Sequence, residues 1–282
     1  MLRRYLADRR FLLMLPRAIC LQMLHPAIAA GIYQHSVYRE RIWQHERRTI
    51  PVVIEIAGSA RDMRPVIRFA HEHVKGLDER GRPYHSLNPD LFFFQHATLV
   101  DTLFTMVESS IGVLEPDRSE QLYQQCCGWY RRYGISTRPM PDSWPDFRDY
   151  FERRCTDELS AGPHFDPFRT EIFAPSDWWP RLAPRRAVRA MQHPRARELT
   201  GVTVSETDHR SLRRFLKTAA MLPPGKYPWT TGSASTAEIT ECPSAPPVQP
   251  RRTGHGLDSP DRAHPTPGGR CDRPRSRPAV PR

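Results

Sequence analysis

Three features that define common protein classes are missing from this sequence. No run of about 18 uninterrupted apolar residues occurs, so an ordinary membrane-spanning helix is not expected. The six cysteines show none of the paired spacing of zinc sites, which favours isolated thiols in a reducing compartment. No internal repeat is present, which argues against a repeat architecture. A globular domain of ordinary topology is the expectation that these absences leave.

The N-terminal segment MLRRYLADRRFLLMLPRAICLQMLHPAIAAG is the part of the chain that most resembles a targeting signal, because it starts basic and becomes apolar. Arg17 and His25 interrupt its apolar part. We therefore interpret it as amphipathic helix and expect a cytoplasmic protein. Peripheral contact with a membrane remains open as an alternative.

The composition changes near Gly232. Before this point lie most aromatic and aliphatic residues, and after it Ser, Thr, Pro, Gly and Arg dominate. Such a segment cannot bury enough apolar area to offset its ordering entropy. We predict a helical domain over residues 1–230 and a disordered tail rich in proline and arginine over residues 231–282. The net charge of +11 is partly a property of this tail, so it does not predict a specific nucleic-acid partner.

Apolar residues recur at helical spacing almost throughout residues 1–230, which predicts an all-α fold. Helices are expected before Leu15-Pro16, at about 17–33 with a break after His25, at about 39–56, at 64–75 and, most strongly, from Asn88-Pro89-Asp90 onward. Residues Gly76 to Leu87 are interpreted as a loop. Capping boxes are expected at Asp117-x-x-Glu120 and Ser143-x-x-Asp146. Beyond Ala161 the pattern weakens, and helices are expected near 185–192 and 208–221.

His71 has the best context for chemistry among the histidines. In VIRFAHEHVKG, Arg68 and His71 are three residues apart on one helix face, among apolar neighbours. A neutral imidazole in this setting suits the ligand position of a haem iron, since its second nitrogen can donate to an acceptor. Arg68 could pair with a haem propionate.

Three further histidines are candidates with a structural alternative beside each functional one. His45 and Thr49 share a helix face and could line a pocket, or they could lie on a solvated face. His25 precedes Pro26, and its imidazole could bind a site or satisfy a backbone carbonyl freed by the proline, which is the preferred interpretation. His96 lies in the most apolar helix, where a hydrogen bond within the core is favoured over a pocket role.

Several sequence blocks in order resemble one known family. The blocks are LQMLHPAIAAGIYQHS, a charged stretch ending RRT, VIRFAHEHVKG, RGRPYHSLNPDLFFFQHATLVDTL and MPDSWPDFRDYF. Over roughly residues 12–158 they resemble the mpaB/rubber oxygenase catalytic domain, a family that includes latex-clearing proteins and a fungal oxygenase of mycophenolic acid biosynthesis. Past about residue 160 the resemblance fades.

The resemblance implies an all-helical fold with a globin-like core, haem b and cleavage of carbon–carbon double bonds with dioxygen. It implies that His71, in its Arg-x-x-His element with Arg68, ligates the iron. It implies distal catalytic roles for Arg48 and Thr49. Where the family has an arginine four residues before that threonine, this chain has His45. Polyisoprene is therefore not assumed to be the substrate.

Three function hypotheses follow. The leading one is a haem-dependent oxygenase of an apolar small molecule, with a pocket made partly by Phe92, Phe93, Phe94 and Leu99. The second is a non-haem metal enzyme in which His25, His71 and His96 converge on iron. The third is a non-catalytic protein whose basic tail contacts nucleic acid or an acidic partner. The sequence predicts neither the substrate nor the oligomeric state.

Overall fold

A computed structural model describes residues 1–37, 41–58 and 61–221, and this part of the chain is helical apart from one short hairpin. This confirms the all-α prediction for the described residues, whereas the predicted tail at 231–282 lies outside them. The helices of the first half are α1 (Leu2–Leu6), α2 (Arg9–Leu13), α3 (Leu15–Met23), α4 (Pro26–His35), α5 (Ile42–Gly58), α6 (Arg64–His71) and α7 (Pro89–Ser110). Those of the second half are α8 (Pro116–Arg131), α9 (Trp144–Glu158), α10 (Asp166–Phe173), α11 (Arg185–Met191), α12 (Pro194–Thr200) and α13 (Glu206–Met221).

Two prolines divide the N-terminal third as expected. Pro16 stands in the first turn of α3, and Pro26 stands in the first turn of α4. Proline is tolerated there because the amide it lacks would have no partner within the helix. The stretch Arg9–Met23 and α4 meet at 99°. The predicted break after His25 is confirmed.

No single helix of the described chain has both the length and the apolar character needed to cross a membrane, although the bent pair of Arg9–Met23 and Pro26–His35 meets both conditions when taken together.

The segment after α6 corrects one expectation. The loop predicted at 76–87 contains a two-stranded antiparallel hairpin, β1 (Lys75–Leu77) and β2 (Pro83–His85), in which Gly76 pairs with Tyr84. The predicted helix over 64–75 accordingly ends early, at His71. The turn between the strands is built on Asp78, whose carboxylate accepts from the amides of Arg80 and Arg82. Two strands of three residues are too short for an alternating pattern to be visible in the sequence.

Helix α7 is the central helix. Asn88 caps it by accepting from the amide of Asp90, and Pro89 fills its first turn. Thirteen of its residues are buried, on more than one face, as expected for a helix surrounded by other helices. Helix α3 packs along it, and α8, α9 and α13 also contact it.

One of the two predicted capping boxes is confirmed. Ser143 caps α9 and accepts from the amide of Asp146. The box at Asp117 is wrong, because α8 begins at Pro116 and Asp117 lies inside its first turn. The carboxylate of Glu120 instead accepts from the amide of Trp144, which joins α8 to the start of α9.

A buried ion pair joins the N-terminal and central helices. The Arg17 guanidinium on α3 donates to Asp101 on α7, with nitrogen–oxygen distances of 2.6 and 3.1 Å. Its remaining Nη1 donates to the carbonyl of Met191 at the end of α11, at 2.9 Å. One side chain therefore connects three helices.

The cysteines of the described chain are free and buried: Cys20, Cys126, Cys127 and Cys155. Burial raises the pKa of each thiol, that of Cys20 to about 12. These four are the isolated thiols that the spacing predicts. Cys242 and Cys271 lie outside the described residues.

Candidate functional site

Helices α5 and α6 bring together the histidines of the two sides of the predicted site. His71 is the last residue of α6, and its ring Nδ1 lies 2.9 Å from the carbonyl oxygen of Ile67, one turn earlier. A carbonyl can only accept, so the proton of a neutral ring stands on Nδ1. The Nε2 lone pair is then left to bind another group.

Packing fixes the position of this ring. Phe92 of α7 meets it edge-on with the ring centres 5.4 Å apart, and Ser86 donates its hydroxyl to the His71 carbonyl at 2.9 Å. Burial lowers the pKa of His71, and the charge of His73 lowers it further, against the opposing effect of the Ile67 carbonyl. The imidazole is therefore neutral near pH 7, the form that ligates metals.

His45 of α5 lies within electrostatic reach of His71. Burial lowers the pKa of His45 to about 4, and the charges of His71 and Arg48 contribute in the same direction. Two neutral imidazoles from neighbouring helices thus share one region of the protein. Thr49, one turn further along α5, is also partly buried, whereas Arg48 is exposed. Successive residues of a helix are turned by about 100°, so this difference is expected.

A buried carboxyl on α5 belongs to the same region and was missed in the sequence. Glu46 is 5% exposed, and the Thr49 hydroxyl lies 3.3 Å from its Oε2 and equally far from the carbonyl of His45. Burial raises the pKa of Glu46 to about 8, although the bond from Thr49 opposes the shift. A signal did exist, because Glu46 is spaced three and four residues from the apolar Trp43 and Ile50. The many charged residues around Glu46 in the sequence made this spacing hard to recognise.

Arg68 is exposed on the solvent side of α6, one turn before His71. Its guanidinium is therefore in water, one helical turn from His71, where it can pair with an anionic group.

The model of one family, described as ER-bound oxygenase mpaB/B'/Rubber oxygenase, catalytic domain, matches residues 3–221. The chain belongs to the mpaB/rubber oxygenase family. The match continues past residue 160, where the sequence blocks fade, and it ends where the described chain ends. No curated protein and no solved structure matches this chain.

Membership of the mpaB/rubber oxygenase family makes oxygenase chemistry the activity of this domain at the level of the family. The matched residues include both α5 and α6, with His45, Arg48, Thr49, Arg68 and His71.

His25 lies elsewhere in the domain, and its preferred interpretation is wrong. Its Nε2 is 3.0 Å from the Oε2 of Glu158 on α9, so its partner is a carboxylate and not a backbone carbonyl. The ring packs on Phe94 with the centres 5.2 Å apart. Pro26 turns the chain sharply at this point, and the side chain of His25 is directed to α9 instead of to its own backbone. Its Nδ1 has no hydrogen-bond partner among the described residues.

His96 of α7 is enclosed by aromatic rings. The ring centres of Trp129, Tyr130 and Tyr133 lie 4.7, 5.3 and 5.6 Å from its own. His96 is 3% exposed and thus lies in the core, as the favoured interpretation expects, although neither ring nitrogen makes a well-formed hydrogen bond within the described chain. Burial lowers the pKa of His96 to about 3, with a small opposing effect from the backbone of Cys126.

The alternative in which His25, His71 and His96 converge on iron is not supported by this geometry. No group of three or more His, Cys, Asp or Glu side chains in the described part of the chain could hold a metal ion. His25 is paired with Glu158, and the ring contacts lead from His71 to His96 through Phe92 and Tyr133. A lone histidine such as His71 suits a metal that brings its other ligands with it, as the iron of a porphyrin does.

Proposed function

We propose that this chain is a haem-dependent oxygenase that acts on an apolar organic substrate with dioxygen. The family supplies the oxygenase class, and the haem and the substrate class are our proposal. The observation that carries it is the His71 ring, whose Nδ1 is committed to the Ile67 carbonyl while burial keeps the imidazole neutral. A hydrogen bond of this kind fixes the tautomer and orientation of ligand histidines.

The residues of α6 fit the group. His71 would hold the iron through Nε2, and Arg68 would pair with a propionate. Haem b, when bound, supplies the iron at which dioxygen is taken up and directed to the substrate.

The chain's own groups on α5 would set the polarity of the site beside His71. His45 is neutral at pH 7, so it can accept or donate one hydrogen bond without adding charge. Glu46 holds a proton to about pH 8, and the Thr49 hydroxyl contacts its carboxyl. Of the aromatic residues expected around the pocket, Phe92 contacts the His71 ring directly. Phe93 and Phe94 pack instead on His96 and His25.

The ligand assignment is tested by absorption spectroscopy of protein expressed with added haem. Losing only the partner of a metal ligand weakens such sites about ten-fold or more. His71→Ala should therefore lose the haem absorption band or most of its haem content while circular dichroism stays helical. His25→Ala and His96→Ala are the controls, and both should keep the wild-type band. A wild-type spectrum in His71→Ala would show that the assignment is wrong.

The distal side is tested separately, with Thr49→Ala and His45→Ala. We expect each to change the autoxidation rate of the oxygen complex while the ferric spectrum still shows His71 ligation, because a polar group near the bound oxygen is removed. Arg47→Ala, an exposed neighbour on the same helix, is the control. If Thr49→Ala and His45→Ala both match Arg47→Ala, α5 is not the distal wall.

A further inference from the structure

Two neighbouring tryptophans between α10 and α11 have opposite environments. Trp179 is 4% exposed and meets Trp43 edge-on with the ring centres 5.1 Å apart. Trp178 is 54% exposed. Pro180 is buried and starts a short 3-10 helix, Pro180–Leu182, at the end of which Leu182 is 59% exposed. The segment is therefore anchored from inside by Trp179 and Pro180 and presents two large apolar side chains to solvent.

Three arginines accompany the exposed pair. Arg181, Arg185 and Arg186 are all exposed, and within the described chain none of them makes an ion pair or a side-chain hydrogen bond. The acidic residue closest in sequence is the half-buried Asp177. Residues 178–186, which we call the docking segment, therefore carry three positive charges and no negative one.

Exposed apolar side chains beside several arginines suit one kind of partner in particular. Exposing a tryptophan and a leucine to water is unfavourable, and such residues mark contact sites when they lie together. Tryptophan is the side chain most suited to the headgroup level of a bilayer, because its ring is apolar and its indole N–H is polar. Arginine binds phosphate oxygens in bidentate geometry, and each cation near an anionic leaflet adds to the attraction.

We propose that the docking segment holds this protein on the surface of an anionic lipid bilayer. Trp178 and Leu182 enter the boundary between headgroups and acyl chains, while Arg181, Arg185 and Arg186 contact lipid phosphates. Because Trp179 is packed in the core, the segment is already positioned in the free protein, and little order has to be gained on binding. The proposal does not depend on whether haem is bound at His71.

The charge of the segment alone would also suit an acidic protein or a nucleic acid, and the apolar residues decide between these partners. An acidic protein surface would use only the arginines, and a nucleic acid could stack a base on Trp178 but would leave Leu182 in water. A bilayer requires both, since the arginines reach the phosphates at the depth where the indole and the leucine leave water.

The test uses the full chain and flotation with phosphatidylcholine vesicles that either contain or lack phosphatidylserine. We expect binding to the anionic vesicles to exceed binding to the neutral ones. Each arginine near such a surface contributes about five-fold in affinity. The triple variant Arg181→Gln, Arg185→Gln, Arg186→Gln should thus bind on the order of 100-fold more weakly. The double variant Trp178→Ser, Leu182→Ser should lose at least about ten-fold, because its apolar contact is removed.

Matched controls separate the segment from general surface effects. Val113→Ser removes an apolar side chain that is 84% exposed outside the segment, and Arg118→Gln removes an exposed arginine of α8. Both should bind like wild type. Trp178→Phe should keep most of the affinity but lose the part of the quenching by brominated lipids that Trp178 contributes.

Several results would overturn the proposal. These are wild-type binding by the arginine or the apolar variants, equal binding to neutral vesicles, and no difference in lipid quenching between wild type and Trp178→Phe. Loss of heparin or nucleic-acid binding in the arginine variant, without loss of vesicle binding, would assign the segment to a polyanion instead.

Discussion

Among the carboxyl groups of the described chain, that of Glu46 should change its pKa strongly when the protein folds. In an unfolded chain it titrates near 4.5, and in the folded protein burial raises its pKa to about 8. Between these two values the folded state binds a proton that the unfolded state releases. The contribution of Glu46 to the free energy of unfolding should therefore fall as pH rises through this window.

Glu46→Gln keeps the shape of the side chain and removes its titration, so the variant should lose less stability than wild type between pH 5 and pH 8. Each unit of pKa difference corresponds to about 1.4 kcal/mol, which urea denaturation at the two pH values can resolve. Glu55→Gln, an exposed glutamate on the same helix, should show the wild-type slope. Parallel slopes for Glu46→Gln and wild type would contradict the raised pKa.

Two buried histidines contribute with the opposite sign, in a pH range that overlaps the lower part of the Glu46 window. The pKa values of His45 and His96 are lowered to about 4 and about 3, so below pH 6.5 the unfolded chain binds more protons than the folded one. Their contribution to stability should fall as the solution is acidified, and in Glu46→Gln, where the opposing carboxyl is gone, the decline should be steeper than in wild type.

The site residues differ in how far the sequence could reveal them. His71 could be singled out because an apolar run surrounds it and Arg68 precedes it by one turn. Glu46 was missed although its spacing from Trp43 and Ile50 places it on the apolar face of α5, because the residues next to it in the sequence are charged or polar. The partner of His25 was also beyond the sequence, since Glu158 is 133 residues away.

At the scale of elements, Arg17 is the side chain with the largest expected effect. Its ion pair with Asp101 is almost buried, with 9% and 15% of the two side chains exposed. Removing one partner of such a pair leaves an uncompensated charge, which costs about 3–5 kcal/mol. Arg17→Met should therefore lower the free energy of unfolding by about this amount, measured in urea.

A second substitution distinguishes the charge from the packing. Adding Asp101→Asn to Arg17→Met removes the unpaired carboxylate, so the double variant should regain part of the lost stability. Additive losses in the double variant would mean that the two side chains are not coupled.

Some helix boundaries can be predicted from the local sequence alone, and others cannot. The helix starts at Pro26 and after Asn88 could be predicted from the sequence, because a proline or a capping side chain acts on the backbone next to it. The ends of α6 and the hairpin β1–β2 could not, because they depend on pairing across a turn. Helices α10 and α12 were missed for a related reason, since each is only seven or eight residues long and is stabilised by packing.

At the scale of the whole molecule, the described core lies between Leu2 and Leu216. Since the family match also ends at residue 221, a chain that ends at Met221 should keep the unfolding midpoint of the full chain. Thermal denaturation with circular dichroism measures this. A chain that ends at Ser205 is the matched comparison, because it also loses α13 with its buried Leu212 and Leu216, and it should melt lower. A lower midpoint for the chain ending at Met221 would show that the later residues pack on the domain.

The four buried thiols can report local opening of the domain through the rates at which they are alkylated. Since each is shielded from water and held protonated by its surroundings, none can attack an alkylating reagent until the helices around it separate. In a chain whose Cys242 and Cys271 are replaced by serine, the rate of labelling at each cysteine then reports how often that part of the protein opens. Cys20 reports on α3, Cys126 and Cys127 report on α8, and Cys155 reports on α9. The cysteines of the native core thus show which helices open first.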